Sequence, residues 1–285
     1  MKLVRYGQPG KEKPGLIDAE GKIRDVSAIV PDFAGEYLGD KFLQKLARTR
    51  LSRLPLVRGR PRLGAPIAQP VNYIGIGLNY ADHAAEAGAA IPSEPIVFFK
   101  AANSISGPHD PIIQPKGSEK LDWEVELAII IGARAHYISE RVALDHVAGY
   151  ALANDVSERG FQIDRGGGQW GKGKGAPTFG PLGPWLATRD EIPNPQRIGL
   201  WLDVNGERRQ TGNTKTMIFN VRKIVSYLSH FLVLEPGDVI VTGTPPGVGM
   251  GMKPQVWLKP GDVVTLGGEG LGEQRAEIIA WRRGL

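Results

Sequence analysis

Leu121-Asp-Trp-Glu-Val-Glu-Leu-Ala-Ile-Ile-Ile-Gly132 joins three carboxylates to an unbroken apolar run. Asp122, Glu124 and Glu126 stand at every second position, the period at which side chains of a β-strand share a face. That face continues into Ala128 and Ile130, so the spacing predicts a strand that carries a row of acids toward the interior. Neighbouring acids on such a face lie roughly 7 Å apart, and two ionised groups there repel by about 2 kcal/mol at an effective dielectric near 20. On a wet edge, water and salt would screen the repulsion. Beside an apolar layer the acids need protons, basic partners or a cation.

A further carboxylate comes from YALANDV (150–156), which reads as a strand ending at Asn154-Asp155 and able to pair with the first. Glu124, Glu126 and Asp155 would form an all-oxygen site, suited to Mg²⁺ or Mn²⁺. Zinc is disfavoured, because the chain has no cysteine and no dense histidine cluster. Calcium lacks an EF-hand loop. The absence of cysteine also excludes disulfides and thiol nucleophiles.

Outward from this strand the chain is strand-dominated. Residues 1–30 read as strands joined by a turn at 19–22, and 36–53 as helical. Prolines 55, 61, 66 and 70 then break periodicity and mark an expected boundary between a small N-terminal domain (1–68) and a larger domain (69–285). The larger part opens with a strand at VNYIGIGL (71–78), a short helix over 81–90 and a strand at PIVFFKA (95–101). Ser139 is placed to cap a helix through His146. Asn205-Gly206 predicts a tight hairpin, and Asn220 caps a helix with Val221, Ile224, Val225 and Leu228 on one stripe. Two Pro-Gly-Asp turns launch EPGDVIVTG and KPGDVVTLGG. Few, short helices among many strands predict a β-rich α+β roll and not a doubly wound sheet.

The formal net charge of +5 is local. Residues 41–65 hold eight of the 35 basic residues and no acid, and the rest of the chain is net acidic. With Phe42 the one aromatic there, the segment lacks the basic–aromatic interleaving of a nucleic-acid site and reads as a solvated amphipathic face. No apolar run is long enough for a membrane-spanning helix, and the N-terminus has no secretory h-region. A cytoplasmic protein is expected.

RGGGQWGKGKGAPTFGPLGPW (165–185) contains most of a phosphate-binding loop, but Gly173 stands where Ser or Thr is needed and no apolar strand precedes it. The glycines instead let the backbone fold over a site and project Lys172 or Lys174 into it. VTGTPPGVGMG (241–251) is a tight turn rich in backbone donors, suited to a carboxylate. His146 and His230 fall within helical patterns and read as structural. His83 differs, because His83-x-x-Glu86 places an imidazole and a carboxylate on one helix face.

Taken in order, GLNYADHAAE, DWEVELAIIIG, ANDVSERGFQ, GKGKGAPTFGPLGPW and TGTPPGVGMG resemble the fumarylacetoacetate hydrolase family over residues ~70–285. The N-terminal KLVRYG…PGLIDAEGKIRDVS resembles one branch, the hydrolases of 2,4-diketo-3-deoxy sugar acids derived from L-rhamnose or L-fucose. The resemblance implies a mixed β-sandwich roll, a homodimer and a Mg²⁺ or Mn²⁺ ion held by Glu124, Glu126 and Asp155, with Asp122 outside the ligand set. By position, His83 and Glu86 would prepare the attacking water, and Lys174 would stand beside the reacting carbons. Arg159 and Gln162 would contact substrate or lie behind the ligands, and Thr244 would hold the pyruvoyl carboxylate. A Lys-Ser-Phe-Asp-Thr-Phe run common in the family is here Lys174-Gly-Ala-Pro-Thr178-Phe179, which leaves Lys172 as the alternative lysine. Metal-enolate chemistry in the family also serves decarboxylation of oxaloacetate-like acids and isomerisation of unsaturated keto acids. A non-catalytic metal-binding domain is the reading from another class.

Overall fold

Val125–Ile131 is buried along its whole length, and its two faces belong to two different cores. Leu127, Ile129 and Ile131 enter one core, while Ala128 and Ile130 enter the other. A strand covered on both sides has no solvent face to make polar, which accounts for the continuous apolar run. The computed structural model describes residues 1–86 and 88–283.

This strand lies within a nine-stranded mixed sheet. It pairs antiparallel with Val147–Asn154 on one side and with Val239–Val241 on the other. Beyond Val239–Val241 come Tyr73–Gly77, in parallel, and the edge strand Ile96–Lys100. Beyond Val147–Asn154 come Leu186–Thr188 and then three N-terminal strands, Lys2–Tyr6, Lys13–Ile17 and Ile23–Asp25. Residues 1–68 therefore extend the same sheet, and their Leu3, Leu16, Phe33 and Leu38 share a core with Ala128 and Ile130.

A five-stranded sheet covers the opposite face, in the order Glu207–Asn213, Gly199–Val204, Val263–Gly268, Gly272–Ala280 and Ile112–Gln114. Its Leu200, Leu202, Val264 and Leu266 pack with Leu127 and Ile129. The result is the β-rich α+β sandwich roll expected from the sequence. The hairpin at Asn205-Gly206 has both residues at positive φ, 53° and 80°, the turn whose twist matches its strands. No helix among the described residues is long and apolar enough to cross a membrane.

Helical expectations need correction at three places. The basic segment is not one helix over 36–53: two 3₁₀ turns, Gly35–Leu38 and Leu51–Arg53, flank a single α-helix, Asp40–Ala47. Gly39, in extended backbone at φ −75° and ψ 150°, divides it. Residues Glu140–His146 form 3₁₀ turns, and the Ser139 side chain makes no capping bond. The helix at 81–90 is Ala81–Glu86; Ala87 lies outside the described residues, and Gly88 at φ 62° has left the helix. Val221–Leu228 is as expected, with the Asn220 side chain accepting from Lys223 N at 2.9 Å.

Candidate active site

The acidic strand breaks where the site begins. Leu121–Asp122 pairs with Ser157–Glu158, Val125–Ile131 starts three residues later, and Trp123 and Glu124 fall between the two ladders. Across the gap Glu124 accepts Asp155 N at its carbonyl, and its own N–H donates to the Asn154 side chain. The break divides the three acids. Asp122 accepts from Arg159 Nε at 2.8 Å and from the backbone of Gly249 and Met250. Glu124 and Glu126 turn instead toward Asp155, and one oxygen from each of these three lies within 4.8 Å of the others.

Four carboxylates and three side-chain cations are thus buried together. Lys174 Nζ donates to Glu124 at 2.9 Å and to Asp155 Oδ2 at 2.6 Å. Arg159 donates to Asp122, Glu124 and the Gln162 amide oxygen. Lys100 Nζ donates to Asp155 Oδ1 and to the Lys174 carbonyl, each at 2.5 Å. Glu126 has no basic partner among the described residues; it accepts Gly243 N at 2.6 Å. Burial, then the Asp155 and Glu124 charges, push its carboxyl well above the usual range. Burial works the same way on Glu124, but the Lys174 and Arg159 charges outweigh it and hold that carboxyl well below.

This donor set fits a hard divalent cation. It is all oxygen, it is buried, and its charge is incompletely balanced. The Tyr73 hydroxyl, buried within reach of the Asp155 and Glu126 charges, has no hydrogen-bond partner among the described residues. An ion with its own waters would meet both conditions.

A cavity of about 210 Å³ opens onto the cluster and is lined by His83, Glu124, Glu126, Arg159, Gln162, Lys174 and Thr244 among others. His83 Nδ1 meets Glu86 Oε2 at 2.9 Å, and Glu86 Oε1 accepts Gly247 N at 3.0 Å. The carboxylate thereby orients the ring and leaves Nε2 free of a protein partner among the described residues. The turn before this helix is strained. Leu78 sits at φ 48°, a region that costs a bulky residue about 1–3 kcal/mol. Asn79 fixes it there, donating to Phe219 O and Thr242 O and accepting Phe219 N.

The structure thus gathers the residues singled out from sequence. Of the two alternative lysines, Lys174 lies in the cluster, whereas Lys172 reaches the Arg165 carbonyl at the surface. Thr244 donates to Val125 O and accepts from Gln210. Two buried residues were not foreseen. Lys100 had a legible signal, since it follows Phe98 by two on a strand and so shares its buried face. Gln210, which also accepts Val125 N, lies among the charged residues of a hairpin strand and had none.

Residues 72–279 match the family described as fumarylacetoacetate (FAA) hydrolase C-terminal, and the chain belongs to that family. A Burkholderia cenocepacia relative, named only in general terms as a hydrolase, is 61% identical over 96% of this chain and 97% of its own. The fold is similar to 5-carboxymethyl-2-hydroxymuconate delta-isomerase from Mycobacterium smegmatis, with a TM-score of 0.76 and 32% identity over 99% of this chain and 100% of that one. It is also similar to maleylpyruvate hydrolase from Sphingobium sp. SYK-6, solved with manganese(II) and pyruvate, with a TM-score of 0.81 and 26% identity over the same shares. The protein is therefore an enzyme of this family.

Proposed function

We propose that the protein is a divalent-metal-dependent hydrolase that cleaves the C3–C4 bond of a 2,4-diketo acid to pyruvate and a second acid. The observation that carries this reading is the His83–Glu86 pair, which faces the same cavity as the acid cluster and Lys174. An enolate-stabilising site alone would serve decarboxylation or isomerisation; a polarised imidazole beside it adds the means to activate water.

Glu124, Glu126 and Asp155 would hold Mg²⁺ or Mn²⁺, which would supply Lewis-acid stabilisation of negative charge on the pyruvate half. His83 Nε2 takes a proton from water while Glu86 stabilises the resulting imidazolium. That water attacks C4, and the Lys174 ammonium faces the oxyanion that forms there. Collapse of the oxyanion breaks the C3–C4 bond, its electron pair leaves on the pyruvate half as an enolate, and the proton held on His83 returns to C3. Thr244, with its hydroxyl fixed by Val125 and Gln210, shapes the end that receives the carboxylate. Arg159 and Gln162 brace Glu124 and border the substrate. The manganese- and pyruvate-bound relative supports both the ion and the product.

The N-terminal resemblance offers one candidate substrate, a deoxy sugar acid from rhamnose or fucose, with lactate as the second product for the former; the apolar Phe98 and Trp170 that line the cavity favour a different acyl half. A homodimer belongs to the same reading; the exposed Val97 and Phe99 on the edge strand would suit a second copy. The test is pyruvate release by metal-stripped protein with and without Mg²⁺, offered an acylpyruvate, oxaloacetate and 2,4-diketo-3-deoxy-L-rhamnonate. Magnesium-dependent cleavage of a diketo acid, lost in Glu124→Gln and in His83→Ala, is expected. Turnover of oxaloacetate alone, surviving in His83→Ala, would make the enzyme a decarboxylase.

A further inference from the structure

The wall of the cavity beyond Lys174 is built from rings seated on glycines. In the strand Tyr73–Gly77, Gly75 and Gly77 alternate with apolar residues. A Cβ on Gly75 would stand 2.1 Å from the Phe98 ring, and one on Gly77 would stand 2.4 Å from the Trp170 ring. Any larger residue at either position would push its ring off the strand. Phe98 and Trp170 meet at 5.4 Å between centroids, tilted by 52°. The Phe98 ring centre is 5.2 Å from Lys174 Nζ, so the aromatic wall begins beside the lysine assigned to C4. Ile96 and Ile163 continue it toward the mouth.

Most side-chain polar groups of the cavity are turned to the acids or to backbone. Arg159 makes three hydrogen bonds, to Asp122, Gln162 and Glu124, Lys174 makes two, to Glu124 and Asp155, and the Thr244 hydroxyl is bonded on both sides. The remaining N–H groups of Arg159 and Lys174, the Gln162 amide nitrogen and His83 Nε2 are left for a ligand, and none of them belongs to the wall of Phe98, Ile96 and Ile163. Several hydroxyls laid along this wall would lose water without gaining partners, a cost of about 1–3 kcal/mol for each buried group.

Building on the hydrolase reading above, we propose that the acyl half of the substrate is apolar, an aliphatic chain or an aromatic ring lying against Phe98 and Trp170, and not a polyhydroxylated sugar chain. The two glycines and two rings form a specificity-determining subsite for it.

The test compares kcat/KM of magnesium-loaded enzyme for benzoylpyruvate, acetylpyruvate and 2,4-diketo-3-deoxy-L-rhamnonate, in wild type and Trp170→Ala. A preference for benzoylpyruvate of about tenfold or more over the other two is expected, narrowed about tenfold by Trp170→Ala. Preference for the sugar acid, or a ratio that Trp170→Ala leaves unmoved, overturns the inference while the hydrolase reading stands. Binding gives a readout that does not need cleavage. Calorimetry with 2-oxo-4-phenylbutanoate and 2-oxobutanoate, neither of which has the 4-oxo group, should show the phenyl compound at least about tenfold tighter, with the difference reduced in Trp170→Ala. Equal affinities overturn the subsite. If no diketo acid is cleaved while the phenyl compound still binds tighter, the subsite stands and the hydrolase reading fails.

Discussion

Lys100 Nζ donates to Asp155 Oδ1 at 2.5 Å, and neither side chain touches solvent. The same ammonium holds the Lys174 carbonyl, so one residue from the edge strand positions both an acid of the cluster and the backbone of the lysine that faces it. Lys100→Met would leave a charged and a neutral acceptor buried without this donor. The expected cost is about 3–5 kcal/mol in denaturant unfolding of metal-stripped protein, the usual penalty for breaking a buried ion pair from one side. A loss under about 1 kcal/mol would mean that Lys174 alone suffices to hold Asp155.

Glu126 gives stability a pH dependence of definite sign. Its carboxyl is raised in the folded protein by burial and by Asp155 and Glu124, whereas in the unfolded chain it ionises near the ordinary glutamate value. As pH rises between those two values, the folded form retains a proton that the unfolded form has released, so folding loses stability. Glu126→Gln escapes that loss. In metal-stripped protein the variant should gain on wild type as pH climbs from about 4 toward 8. Saturating Mg²⁺ should reverse the order, because wild type alone keeps the third carboxylate. Paired melting curves across pH, with and without metal, read both effects.

His83→Ala should lower kcat on a 2,4-diketo acid by about 10²–10⁴-fold, the range for a lost general base. Metal affinity, read by calorimetry, should change little, since His83 makes no hydrogen bond to Glu124, Glu126 or Asp155 among the described residues. Loss of metal binding in this variant would assign the imidazole to the ion and not to water.

Residues 69–285 are expected not to fold well alone. Lys2–Tyr6 pairs with Leu186–Thr188, and Arg62 bonds Glu12 at 2.8 Å and Asp110 at 2.5 Å, tying the N-terminal segment to the rest. Its removal would bare a strand edge and the apolar face carrying Ala128 and Ile130. Expression of 69–285 should give aggregated protein by size-exclusion chromatography. A monodisperse fragment that melts cooperatively would show the larger part to be autonomous.

Much of the site was legible because its chemistry is local. Two glutamates at i, i+2 and a His-x-x-Glu pair are short-range patterns, and the apolar run after Glu126 announced a strand entering the interior. The break at Trp123–Glu124, which sends Asp122 to Arg159 and a backbone loop, depends on residues far along the chain and left no mark on the alternation. Gln210 was hidden for the same reason: its partners Val125, Thr244 and Pro245 come from elements that meet only in the fold. The basic segment misled because leucine spacing speaks for helix, while Gly39 stops the helix from running through.

The turn from Gly247 to Met250 supplies backbone N–H groups to Glu86 at one end and to Asp122 at the other. It is a common tether for the Ala81–Glu86 helix and the acidic strand, and these contacts involve none of its own side chains. The path itself depends on two glycines: Gly247 sits at φ 105° with a Cβ position 2.0 Å from Arg209 O, and a Cβ on Gly249 would stand 2.0 Å from Val256 O. A side chain at either place would shift the course of the turn and with it both sets of N–H groups. A one-residue insertion would uncouple the two halves of the chemistry at a stroke. A survey of insertions and deletions would find this turn as intolerant as the ligands themselves, though it brings no reacting group of its own.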